Sequence, residues 1–170
     1  MRRRTFLKWA GGTTAALAAA GGGVWVLLFG ERRAAPGRAL LSSSEMHVAR
    51  AVAEALFPPG TGLALDARGA HLAERVDGYL AGLPAREQRY VRAGLRALEY
   101  ASVPMHGSRF SRLSLGDRIA ALRAEAASDG YLRHTAALGI KGIFGLVYFE
   151  IDSVRAELGW SLGCAPSGPR

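Results

Sequence analysis

The chain has 170 residues, 49% of them apolar, which bounds it to one modest domain once a targeting segment is set aside. Its net charge is +8, but Arg2, Arg3, Arg4 and Lys8 supply four of those charges in a start that holds no acid. The remaining balance is unremarkable, and no nucleic-acid partner is expected. The single cysteine, Cys164, excludes an internal disulfide and any multi-thiolate zinc or iron–sulfur centre.

Residues 1–30 form a unit of their own. Arg3-Arg4-Thr5-Phe6-Leu7-Lys8 sets paired arginines, a spacer, two apolar residues and a lysine in order, resembling a twin-arginine export signal in spacing and position. A basic start, an apolar middle and small residues are the marks of a signal, and the paired arginines direct it to the route for folded proteins. Arg3, Arg4, Phe6, Leu7 and Lys8 are the expected targeting residues. Two fates stay open. Ala18-Ala19-Ala20 offers a peptidase small residues before Gly21. Alternatively the uncharged run from Trp9 to Gly30, 22 residues long, serves as an uncleaved anchor, near the roughly 20 residues that span a bilayer.

Residues 31–41 have no clear period and read as a linker. Beyond them every periodic segment has the helical repeat, and no strand-length alternation stands between turn signals. Ser42 with Glu45 fits a capping box that opens a first helix. Val48, Val52 and Leu56 are its buried stripe, and Phe57-Pro58-Pro59-Gly60 is its end. A second helix carries Leu72, Val76, Tyr79 and Leu80 and stops before Gly82 and Pro84. Pro84 opens a third, to about Ser102, with Val91, Leu95 and Leu98 on one side. Arg89, Arg92 and Arg96 are set roughly opposite, as a solvated basic back or a surface for an acidic partner. Ser114-Leu115-Gly116-Asp117 opens a fourth, with Ile119 and Leu122 inward.

The last long helix is expected from about Ser128 to Phe149. From Ala136 onward it is apolar nearly all round, with Lys141 its one charge. A helix apolar on every side is covered on every side. Either it is the central helix of the domain or part of it meets another protein; a small domain has difficulty enclosing one helix completely, so the second is expected for part of its surface. Ile140, Ile143, Phe144, Val147, Tyr148 and Phe149 are the expected partner-binding residues. Gly139, Gly142 and Gly145 permit close backbone approach; with no strand before them they do not make a nucleotide loop. A short helix, about Ser153 to Leu158, ends at Gly159, and residues 161–170 read as a tail.

The search for chemistry finds no active site. His47, His71, His106 and His134 lie on separate elements without carboxylates at ligand spacing. Glu150 and Asp152 read as a solvated helix end, and Ser111, Ser114 and Ser128 as caps or turns. Lys141 is expected to snorkel or to pair with one carboxylate. No catalytic, cofactor-binding or metal-binding residue is assigned.

The order of several fragments resembles the small subunit (subunit 3) of gluconate 2-dehydrogenase-type complexes. They are the twin-arginine start, Ala55-Leu56-Phe57-Pro58-Pro59, and Val76-Asp77-Gly78-Tyr79-Leu80 with Leu83-Pro84. Phe110-Ser111-Arg112-Leu113 before Arg118 follows, then Val147-Tyr148-Phe149 and Val154-Arg155-Ala156-Glu157-Leu158-Gly159-Trp160. The likeness covers most of residues 42–160. It implies a non-catalytic subunit paired with a large flavoprotein of the glucose–methanol–choline oxidoreductase class, which carries FAD and leaves the cytoplasm folded on the small subunit's signal.

The expectation is therefore an all-α protein: a small irregular domain of four to five helices over residues 42–160, after a signal or anchor and a linker. Its expected work is in the periplasm or at the membrane, with a flavin dehydrogenase and the twin-arginine translocation machinery as partners. Two other readings stand beside it. One is a free-standing exported helical module that binds a small apolar ligand; the other is an exported enzyme with a spatially assembled His/Asp site.

Overall fold

The computed structural model describes residues 28–30, 33–60, 62 and 65–159. The chain divides into two units, 1–32 and 33–170, and the helical domain lies in the second. Among the described residues there is no strand, so the all-α expectation holds. The targeting residues Arg3, Arg4, Phe6, Leu7 and Lys8, the cleavage site, most of the 9–30 anchor, and Cys164 lie outside the described residues. No helix among those described is long and apolar enough to cross a membrane.

Helix α1 (Ser43–Leu56) starts at the expected capping box. The Ser42 hydroxyl accepts from the Glu45 amide, and the Ser42 amide donates to Glu45 Oε2 at 2.8 Å. The two Ser42 and Glu45 amides, which a helix start leaves unsatisfied, are thereby paired. Val48 and Val52 are buried as expected, but so are Met46, Ala49, Ala51, Ala53 and Ala55, which lie all round the helix. Their short side chains let α2 (Leu72–Ala81), α3 (Ala85–Ala101), α5 (Leu115–Ala126) and a 3-10 turn (Phe110–Arg112) pack against α1. The central helix is thus α1. The more apolar α6 (Tyr131–Phe149) lies against α2, α3 and α5, with one side left out.

Two short elements went unpredicted: α4 (Val103–His106), with proline in its first turn, and the 3-10 turn. Gly107 joins them at φ 63°, a left-handed conformation that side chains resist. Glu99 of α3 fastens the turn, accepting from the Ser111 amide at 2.9 Å and hydroxyl at 2.7 Å. Phe110 is thereby held in the core. Helix α7 (Asp152–Glu157) closes the domain with Val154 inward.

The segment before α1 is strapped down by a buried carboxylate. Asp77 of α2 accepts from the amides of Ala39, Leu40 and Leu41 at 2.8, 3.0 and 2.7 Å. Three backbone donors would otherwise be left without partners as Leu41 enters the core. This gives Asp77, one of the family-like fragment residues, a structural role.

Candidate functional site

The expected partner surface on α6 divides into an inward and an outward part. Ile140, Phe144, Val147 and Tyr148 are buried in the chain's own core, and Ile143 is half-buried against it. A partner cannot reach the four buried residues without opening the domain. Phe149 alone of the six is classed as exposed, at 37%. The outward side of α6 is made by other residues: Tyr131, Thr135, Leu138 and Leu146 are exposed, with Gly139 and Gly142 between them. Leu138 and Leu146 are each 46% exposed. A Cβ built on Gly139, Gly142 or Gly145 meets nothing within 4 Å. Nothing among the described residues thus requires a glycine there, although each costs a helix about 1 kcal/mol relative to alanine.

Where α6 ends, fragments far apart in sequence meet. The Tyr148 ring stacks on Phe57 with centroids 3.8 Å apart, and Phe149 stands edge-on to both, at 5.4 and 6.0 Å. The Tyr148 hydroxyl donates to the Leu65 carbonyl at 2.5 Å. Burial, together with the nearby charges of Glu157 and Asp66, pushes the Tyr148 phenol above its ordinary value. The neutral, hydrogen-bonding form is therefore kept well into the alkaline range. These aromatics hold the Pro58-Pro59 turn to the end of α6.

The basic back of α3 is corrected by the structure. Arg96 is buried, and Arg92 largely so, because both side chains run under the start of α1 to Glu45. Arg96 Nε donates to Glu45 Oε1 at 2.8 Å, and Arg92 Nε and a terminal nitrogen donate to the two carboxylate oxygens, each at 3.1 Å. At about 100° per residue, Arg92 and Arg96 flank Leu95 and do not oppose it, which brings them to the edge of the buried face. Glu45 is only 1% exposed. Burial alone pushes its carboxyl up, but the bonds from Arg92 and Ser42 outweigh it and hold the group below the ordinary carboxylate range. Only Arg89 keeps the expected exposed position, donating to the Ala85 carbonyl.

The remaining candidates are dispersed. Among the described residues no three His, Cys, Asp or Glu side chains come close enough to hold a metal. His134 faces the Ala126 carbonyl at 2.6 Å, and His47, His71 and His106 are exposed. Asp152 pairs with Arg155. Ser111 binds Glu99, Ser114 caps α5, and Ser128 accepts from the Gly130 amide. Lys141 is exposed and has no carboxylate partner among the described residues, so of its two expected fates it takes solvent.

A 330 Å³ depression lies between α1 and the start of α2, lined by Arg50, Glu54, Arg68, His71 and Glu74. Its charges are already matched: Arg50 reaches Glu74 at 2.7 Å, and Glu54 takes Arg68 at 2.7 Å and Arg118 at 2.8 Å. Such a site offers little to an anion. Two apolar clefts, 170 Å³ between α3 and α6 and 190 Å³ among α3, α4 and α5, fall below the roughly 300–1,000 Å³ of small-molecule pockets. The outward face of α6, with Leu138 and Leu146 exposed, is the candidate surface.

The family model described as gluconate 2-dehydrogenase subunit 3 matches residues 43–144, from the first residue of α1 to Phe144 of α6. No curated protein and no solved structure matches the chain. The match takes in more than half of the 170 residues and all the helices from α1 to α5, and the chain belongs to the gluconate 2-dehydrogenase subunit 3 family.

Proposed function

We propose that this protein is the non-catalytic accessory and export subunit of a flavin-dependent sugar or alcohol dehydrogenase. It binds the folded catalytic subunit, which carries FAD, and takes it through the twin-arginine machinery to the periplasm or the outer side of the inner membrane. The observation that carries this reading is the family match over residues 43–144, a family named for a subunit of a dehydrogenase complex. The paired arginines at the start and the uncovered apolar side of α6 support it: one is an export address and the other a place for a partner. Residues 9–30 tether the complex to the membrane if the signal is not cut.

Replacing Arg3 and Arg4 together by lysine tests the carrier role. The exchange keeps the positive charge, so attraction to anionic lipid survives, but it removes the planar guanidinium forks that recognise carboxylates in bidentate fashion. The expected result is that this chain and its flavin-loaded partner both stay in the cytoplasm, measured by fractionation and dehydrogenase assay on each side of the membrane. Normal export of the partner while the substituted chain stays inside would sink the carrier role. Export of both as before would sink the twin-arginine reading.

A further inference from the structure

The outward side of α6 has the layout of one half of a helix pair. Tyr131, Thr135, Leu138, Gly142, Gly145 and Phe149 follow one another at alternating intervals of four and three residues. That is the spacing of helices that lie side by side at a shallow crossing angle, about 20°. Five of the six are exposed and Gly145 is half-buried. The helix has a separate stripe for its own domain, Ala137, Ile140, Phe144 and Val147, all buried. Two seams on one helix imply two packing partners, and the described residues supply only one.

The glycines set the distance of approach. A Cβ at Gly142 or Gly145 would stand in open space, so no neighbour among the described residues explains them, and both weaken an isolated helix. A backbone lying close against α6 from outside explains them. Lys141 then sets the partner's charge. It stands at the edge of this seam, where side-by-side helices place their ion pairs, and it has no carboxylate among the described residues. Helix α6 itself contains no aspartate or glutamate. A second copy laid along the same seam would offer Lys141 no acid from α6, and an antiparallel arrangement would bring the two mid-helix lysines together.

The geometry points to a helix of the dehydrogenase catalytic subunit lying along Tyr131–Phe149, closest at Gly142 and Gly145, apolar where it faces the seam and bearing a carboxylate opposite Lys141. This rests on the accessory-subunit reading above. The test is affinity co-purification of the full chain with the catalytic subunit from co-expressing cells, with titration of the purified pair. The paired substitution Gly142→Ala/Gly145→Ala is expected to raise the melting temperature of this subunit alone and weaken the complex at least tenfold. Those opposite signs separate a contact surface from a fold defect. Gly142→Leu is expected to abolish co-purification with native circular dichroism, and Lys141→Glu to weaken binding more at low than at high salt. Unchanged affinity in Gly142→Leu, with the wild-type complex formed, would overturn the inference and leave the accessory role standing. A wild-type homodimer in sedimentation that Gly142→Leu dissociates would give the seam to a second copy and overturn it too. Failure of the wild-type chains to associate at all would instead remove the accessory role, and the inference with it.

Discussion

Glu45→Gln isolates the charge of one buried carboxylate. Glutamine serves as well as glutamate at the third position of a capping box, so the Ser42 bonds at the start of α1 are kept. What is lost is the anion between Arg92 and Arg96, whose side chains are 14% and 5% exposed. Breaking a buried pair by removing one partner costs about 3–5 kcal/mol, because the remaining charge stays buried without compensation. Against a total stability of roughly 5–15 kcal/mol this is severe. At about 4 °C per kcal/mol for a domain of this size, the thermal midpoint should fall by roughly 12–20 °C. The same carboxylate sets an acid limit. Its folded-state pKa lies below the unfolded one, so its stabilisation is complete above the ordinary carboxylate value, about 4.3. That contribution is lost as pH falls through the lower folded value. Urea unfolding of wild type and Glu45→Gln between pH 7 and pH 3 measures both effects. The stability difference should be largest near neutrality and shrink as acid protonates Glu45 in the wild type. A loss below about 1 kcal/mol at pH 7, the range of surface ion pairs, would refute the buried-triad reasoning.

Two further substitutions probe the strap and the two sides of α6. Asp77→Asn leaves one acceptor oxygen where two now serve three amides, so it should cost about 1–3 kcal/mol and speed hydrogen exchange at Ala39 before Leu41. Equal protection of these amides in the variant would contradict the strap. Phe144→Ala should destabilise by about 3–5 kcal/mol, since its ring is fully buried. Phe149→Ala should cost only about 1–2 kcal/mol, because that ring is 37% exposed. Equal losses by chemical denaturation would mean that the inward and outward sides of α6 are wrongly assigned.

Local signals carried most of the fold. Ser42 with Glu45, Pro84, Ser114 and the glycines and prolines between helices act within a few residues, and their helices begin and end close to where those residues place them. Burial was harder to read where periodicity is weak. Alanines 49, 51, 53 and 55 look neutral in sequence, yet they make α1 the central helix because small side chains admit neighbours on every side. In α6 the opposite problem arises: apolar residues all round the helix hide which stripe faces inward, so the periodicity cannot separate the buried Ile140, Phe144, Val147 and Tyr148 from the exposed Leu138 and Leu146. The polar links were illegible because they join distant residues, Glu45 to Arg96 and Asp77 to Leu41. Short α4 and the 3-10 turn have no full period to detect.

The accessory role is tested most directly by purifying the chain through an affinity tag from cells that also make the flavoprotein dehydrogenase. The eluate is then read by mass and by its absorption spectrum. A subunit of the complex should bring the catalytic chain with it in fixed stoichiometry, show the visible absorption of a bound flavin, and oxidise the substrate. The chain eluting alone and colourless, with the flavoprotein recovered fully active and exported in cells that lack this subunit, would contradict the account.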